Sequence, residues 1–328
     1  MKYLYGSFLL LQLLACTGKN ETGNYTPKDI DSLLAQFPDS LPIIIRHGEE
    51  KLKQFDFDKA LQDGAKAFRL DSNNQDARLL YANVLNNRPN RSSKEVFIAQ
   101  RHYQTLVKKN PKNTKALIGL ASTYSQQMDF DKSFEYINQA LRIDQKNRDA
   151  YTLKGTNYLI LGKIDRAKSS YETAVQQDPK FFEAYLMLGT LYQQEENVVC
   201  IEYFTTAAKL QPKNPDVLFA LAYAKQLFGD YQSALPIYRK MFRVDTTAVM
   251  ALNQIGVIKQ YNYNDIDSAM YYYNSAITSE PRLVEAWHNL GTCWESKGDI
   301  TRALQSYAKA LKYNPDYLPS KERAEKLR

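Results

Sequence analysis

The chain has 328 residues, a net charge of +7, 44 % apolar residues and 24 tyrosines. That much apolar and aromatic material builds a core and excludes a disordered chain, while three cysteines exclude a disulfide scaffold. The basic residues, among them Lys132, Arg142, Lys163, Arg166, Lys168, Arg239, Lys240 and Lys309, are dispersed and form no aromatic-and-basic stripe, which excludes nucleic acid as a partner.

The first element is an apolar run from Tyr3 to Ala15, preceded by Lys2 and broken only by Gly6, Ser7 and Gln12. It is shorter than the about 20 apolar residues that span a bilayer and has the length of the apolar part of a secretory signal. It ends in Leu13-Leu14-Ala15-Cys16, which resembles a bacterial lipobox. The resemblance implies a lipoprotein signal peptide over 1–15, cleavage before Cys16, diacylation of its thiol and acylation of the new amino terminus. Two or more acyl chains anchor a protein stably where one is marginal, so a lipid bilayer is an expected partner. Thr17 stands where inner-membrane retention in well-known Gram-negative systems resembles a rule that wants Asp. The expected location is therefore the bacterial cell envelope, lipid-anchored at the outer membrane on its periplasmic or surface face. Residues 16–27 comprise the lipidated cysteine and a polar, flexible tether that reaches at most about 35–40 Å. A short helix, Lys28 to Gln36 within the segment 28–40, leads into the repetitive part of the chain.

From residue 41 to residue 317 the chain repeats itself with a period of about 34 residues, the mark of stacked two-helix units. The expected units are 41–74, 75–113, 114–147, 148–181, 182–214, 215–248, 249–283 and 284–317, with 318–328 as a capping helix. Their eighth place holds Gly48, Ala82, Ala121, Gly155, Gly189, Ala222, Gly256 and Gly291. Their twentieth-place column, with single-residue loop slips, is Ala60, Ala99, Ser133, Ala167, Cys200, Ala234, Ala269 and Ala303. One small residue per helix lets two antiparallel helices approach closely. Four residues beyond the second column stand Tyr103, Tyr171, Phe204, Tyr238, Tyr273 and Tyr307, rings expected to fill the space in the adjoining helix pair. Proline, as in Pro111, Pro179, Pro281 and Pro315, or a polar residue closes the second helix. Unit 1 departs with Gly64 in the aromatic place, unit 2 with the insertion NNRPNRSSKE over 86–95, and unit 5 by one residue around Glu195 to Asn197.

This small–small–aromatic–proline pattern resembles the tetratricopeptide repeat family over most of the chain. The resemblance implies an all-α fold, an α-solenoid in the form of a right-handed superhelix of about eight helix-turn-helix units with a C-terminal capping helix. Polar residues of that cap, Lys321, Glu322, Arg323, Glu325, Lys326 and Arg328, would face solvent while Ala324 and Leu327 cover the last unit.

No catalytic chemistry is legible. His47, His102 and His288 pair with no other ligand at metal spacing, and no nucleophile elbow, phosphate loop or zinc-protease helix occurs. No cofactor, no metal and no enzymatic activity are expected. Asp149, Glu183, Asp216 and Glu285 recur at first-helix starts, where acids suit the helix dipole. Cys200 and Cys293 are expected as free buried thiols. In the family that the chain resembles, first helices line the concave face. By that analogy the inward places of units 3 to 7 include Ser122, Gln126, Thr152, Thr156, Thr190, Gln193, Gln194, Phe219, Tyr223, Gln226, Asn253, Gln260 and Tyr261. The apolar or small Ile118, Ser125, Leu159, Ile160, Leu186, Leu227 and Val257 complete the set. None is charged, although 24 % of the chain is. A basic clamp for an acidic peptide terminus is therefore rejected: Lys115 is present but its companion Asn and Arg are not. Hydroxyl and amide groups suit a peptide backbone, and aromatic sockets suit an amphipathic helix, with Phe219 and Tyr223 as the anchor. The expected function is a membrane-anchored scaffold or adaptor for envelope proteins. The alternatives are a binder of peptidoglycan or other glycan and, more remotely, an enzyme with an unrecognised site.

Overall fold

A computed structural model describes residues 27–328, so the Cys16 lipidation site, the segment 1–15 and most of the tether lie outside the described residues. The described residues are helical without strands and form two compact units, one ending at Pro179 and one running from Lys180 to Arg328.

The first unit opens with α1 (Pro27–Gln36) and then stacks four helix pairs: α2 (Leu41–Lys53) with α3 (Phe57–Leu70), α4 (Gln75–Asn87) with α5 (Ser93–Lys109), α6 (Thr114–Gln126) with α7 (Phe130–Ile143), and α8 (Arg148–Ile160) with α9 (Ile164–Gln177). The second unit pairs α10 (Phe182–Gln194) with α11 (Cys200–Leu210) and α12 (Pro215–Leu227) with α13 (Tyr231–Val244). It continues with α14 (Met250–Val257) beside α15 (Ile266–Ser279) and α16 (Val284–Ser296) beside α17 (Ile300–Tyr313), and closes with α18 (Leu318–Lys326).

Side-chain caps start many of the helices. Asn74, Asn113, Asn147 and Asn214 cap first helices by accepting a backbone N–H in the first turn. Asp56, Asp129, Asp230, Asp265 and Asp299 do the same for second helices. Each such cap is worth about 1 kcal/mol. Between the two helices of a pair one residue turns into the left-handed region: Phe55, Met128, Gly162, Glu196, Gly229, Asn264 or Gly298. The next amide then reaches back across the helix end, as from Asp129 N to Tyr124 O at 3.0 Å, which closes the terminal carbonyls.

Packing follows the small-residue columns. Ala60, Ala99, Ser133, Ala167, Cys200, Ala234, Ala269 and Ala303 are all completely buried. An added Cβ at Gly155, Gly189, Gly256 or Gly291 would lie 2.9, 2.5, 2.5 and 2.5 Å from the ring of Tyr171, Phe204, Tyr273 and Tyr307 respectively. These rings pack on the glycine of their own helix pair, where the missing Cβ makes room for them, and Tyr103 packs on Gly119 of the next pair. They also reach the adjoining pair as expected: Phe204 shares a core cluster with Leu221 and Ala224, and Tyr273 with Ala286 and Leu290. Gly64, where unit 1 lacks its aromatic, sets α3 against the backbone of Tyr81.

Two irregularities sit where the period slips. Residues 88–92 form the lengthened loop after α4, and Ser92 with Glu95 closes it in a reciprocal capping box. In the seventh unit the extra residue is taken up by a π-helical turn, Ile258–Asn262, that continues α14. That differs from a slip in the loop: the helix widens by one residue and the loop keeps its form.

The buried His47 and the half-buried His102 serve the structure. His47 lies between Asp63 (Nδ1 to Oδ2, 2.5 Å) and Asp31 (Nε2 to Oδ1, 2.8 Å), and Lys51 Nζ stands 2.8 Å from the same Asp31 oxygen, which ties α1 to α2 and α3. Burial pushes the Asp63 carboxyl up, whereas the bonds from Lys51 and His47 hold Asp31 down. His102 packs edge-on to Phe68 and Tyr81. Cys200 and Cys293 are buried free thiols, and burial pushes Cys293 up to about 12. At the C-terminal end Ala324 is buried and Leu327 packs with it on Ala303 and Tyr307. No helix among the described residues is long and apolar enough to cross a membrane.

Candidate interaction surface

The first helices carry a polar ladder that links neighbours. In the first unit Asn86 Nδ2 donates to Ser122 Oγ at 3.2 Å, and Gln126 Nε2 donates to Asn86 Oδ1 at 2.8 Å. Arg91, from the long loop, donates to Gln126 Oε1 at 2.8 Å. Ser125 Oγ donates to Asn157 Oδ1 at 2.6 Å, and Asn157 Nδ2 to Ser133 Oγ at 2.7 Å. Thr152 caps back onto Arg148 O, and Thr156 lies 3.1 Å from both Thr152 O and the Tyr171 hydroxyl.

The second unit repeats the device. Gln260 donates to Thr292 Oγ1 and accepts from the buried Tyr273 hydroxyl, both at 2.9 Å. Asn253 accepts from Asn289 at 3.1 Å. Gln226 accepts from Tyr238 at 2.8 Å and donates to Gln254 at 3.3 Å, and Thr190 returns to Leu186 O. Burial pushes the Tyr238 and Tyr273 hydroxyls far above the ordinary tyrosine range, so both act as neutral donors.

Ser122, Gln126, Thr152, Thr156, Thr190, Gln226, Asn253 and Gln260, expected to offer polar groups to a peptide, each have a hydrogen bond within the protein. The cause is general: polar atoms between closely packed helices leave water and must bond within the protein.

Five of the expected residues retain something to offer, all in the second unit. Gln194 is exposed. The Gln193 Nε2 amide is buried with no hydrogen-bond partner. Phe219 and Tyr223 stack in parallel, their ring centres 5.9 Å apart, and Phe219 also meets the Tyr238 ring edge-on. Tyr223 is 39 % exposed and Leu227, one turn further along α12, is 49 % exposed. Tyr261, on the π-helical turn, is 60 % exposed. The stripe Phe219–Tyr223–Leu227 recurs every fourth residue, so one face of α12 shows apolar surface beside α10. Among the described residues no three His, Cys, Asp or Glu gather as metal ligands.

A sequence profile described as Tetratricopeptide repeat matches residues 284–317, and a second so described matches 114–147 and 149–181. Three segments of the chain thus match tetratricopeptide repeats. The fold is similar to the crystal structure of the APC/C hetero-tetramer Cut9-Hcn1, with a TM-score of 0.60 and 16 % identity over 92 % of this chain and 58 % of that one. It is likewise similar to the C-terminal part of a TPR repeat-containing protein from Cytophaga hutchinsonii, with a TM-score of 0.59 and 16 % identity over 74 % of this chain and 98 % of that one. Among curated proteins it is 24 % identical over 231 residues to the BBSome complex member BBS4 homolog of Drosophila melanogaster, 66 % of this chain and 47 % of that protein. It is 26 % identical over 192 residues to Tetratricopeptide repeat protein 6 of Homo sapiens, 57 % of this chain and 36 % of that protein. The chain thus spans less than half the length of these curated relatives, and likeness at this level concerns the fold.

Proposed function

We propose that this chain is a binding scaffold, held at a bacterial envelope membrane through acylated Cys16, that seats a protein partner on the first-helix face of residues 180–328. The observation that carries the reading is the Phe219–Tyr223–Leu227 stripe on α12, in which Tyr223 and Leu227 are exposed and Tyr223 stacks on the half-buried Phe219. An amphipathic helix that lays leucine-like side chains on the stripe would cover its apolar surface. Stacked aromatics are the residues that most often dominate such contacts. The anchor rests on the resemblance of residues 13–16 to a lipobox.

A photo-activatable residue at the exposed Gln194, with a control at Lys240 on α13, tests this in native membranes. A discrete protein adduct from position 194 and none from position 240 is the expected result. Adducts only from Lys240 would move the working surface to the second helices. Co-sedimentation with purified peptidoglycan, lost on Tyr223→Ala, would replace the protein partner with a glycan.

A further inference from the structure

Trp287 and Trp294 are the only two tryptophans of the chain. Both line one open cleft of about 560 Å³ between α16 and α17, together with Leu290, Arg302, Gln305, Lys309 and Lys312. No carboxylate lines it. The cations are not equivalent. Arg302 lies 3.4 Å from Asp299 and its guanidinium rests 4.6 Å from the centre of the Trp294 ring. Lys309 and Lys312 have no carboxylate partner among the described residues and both are exposed. On α17, Arg302, Gln305, Lys309 and Lys312 follow at steps of three and four and so share a face. Trp287, Leu290 and Trp294 do so on α16, on a different face from Thr292.

We propose that this cleft binds an extended acidic peptide segment in which carboxylates alternate with apolar side chains, a second site distinct from the α12 stripe. The chemistry on its two walls is complementary to such a ligand. Two unneutralised ammonium groups and one guanidinium face carboxylates, and two indoles with Leu290 face apolar side chains. The cationic face from Arg302 to Lys312 runs about 15 Å along the helix, the reach of roughly four or five extended residues. Charge-assisted bonds to the two lysines hold the acids, and the Arg302–Trp294 contact keeps one wall in place before binding.

The two tryptophans make the test direct, because their emission reports on this cleft alone. The full chain is titrated with acetyl-Glu-Leu-Glu-Leu-Glu-amide, with its Gln-Leu-Gln-Leu-Gln counterpart and with polygalacturonate. A saturable emission change with the Glu peptide is expected, weakening with salt, and roughly ten-fold weaker both for the Gln peptide and for the Lys309→Glu/Lys312→Glu variant. Both positions are exposed, so an unchanged urea midpoint should accompany the variant. No saturable change, equal binding of the two peptides, or undiminished binding by the variant overturns the proposal. Saturation by polygalacturonate alone overturns the peptide in favour of an anionic glycan. Tyr223→Ala leaves the titration unchanged, which separates this site from the first-helix face.

Discussion

Gly155 and Tyr171 meet so closely that a Cβ on the glycine would lie 2.9 Å from the ring. The ring is fully buried, its hydroxyl sits 3.1 Å from Thr156, and burial pushes that hydroxyl up to about 12. Gly291 and Tyr307 stand in the same relation at 2.5 Å. Gly291→Ala should therefore destabilise. Overpacking costs about 1–3 kcal/mol, and the gain in helix propensity returns about 1 kcal/mol, which leaves a net loss of up to about 2 kcal/mol. A urea melt reads it as a lower midpoint at unchanged slope; a higher midpoint would show that the ring moves aside freely.

Phe55 and Met128 hold φ of 60° and 61° at the turn between the helices of a pair, where Gly162, Gly229 and Gly298 stand in other units. Both side chains are more than half exposed, so little packing is lost with them. A left-handed L-residue costs about 1–2 kcal/mol, and Phe55→Gly or Met128→Gly should recover part of it, raising the urea midpoint. The reverse change, Gly162→Ala, should lower it. If Met128→Gly destabilises, the exposed side chain makes a contact that offsets the backbone strain.

His288 gives stability a pH dependence. Burial, aided by Arg323, lowers it to about 4, and its Nδ1 lies 3.0 Å from Ser320 Oγ on the capping helix. The unfolded chain takes up the proton near its ordinary value, about 6.5, whereas the folded chain resists until about 4. Stability from this group is thus complete above that unfolded value and is lost as the pH falls, by about 2 kcal/mol at pH 5. His288→Gln should abolish most of the difference in urea midpoint between pH 7.5 and pH 5. A wild-type midpoint that does not move over that range would refute this role.

Cys16→Ser tests the anchor. The acylated chain should fractionate with membranes and the variant with the soluble envelope contents. Retention of the variant on membranes would show that Cys16 is not what holds the protein there.

The fold was legible because the repeat is enforced by sterics. A glycine or alanine opposite a ring at fixed spacing has few explanations other than two helices in close contact, and Gly155, Gly189, Gly256 and Gly291 all face their rings in the structure. The π-helical turn at Ile258–Asn262 was not legible, because an extra residue in a period does not reveal whether helix or loop absorbs it. The candidate surface was half legible. Sequence singled out Phe219 and Tyr223, and their spacing places them on one face. It could not tell free amides from paired ones, because Asn86 and Gln126 lie 40 residues apart and meet only when helices stack. The tryptophan cleft also leaves a trace in the sequence: the tryptophans lie seven apart on one helix, and Arg302, Lys309 and Lys312 stand at helical spacing on the next.

The amide ladder makes the repeats poor interchangeable tiles. Asn86 is matched to Ser122 and Gln126, Ser125 to Asn157, and Gln260 to Thr292. Excising one helix pair, or shuffling two, would preserve the ring-and-glycine contacts inside each pair yet leave amides facing hydrocarbon at every new junction. The order of the units is thus written in their side chains, and a shortened array would have to rewrite its seams to remain folded.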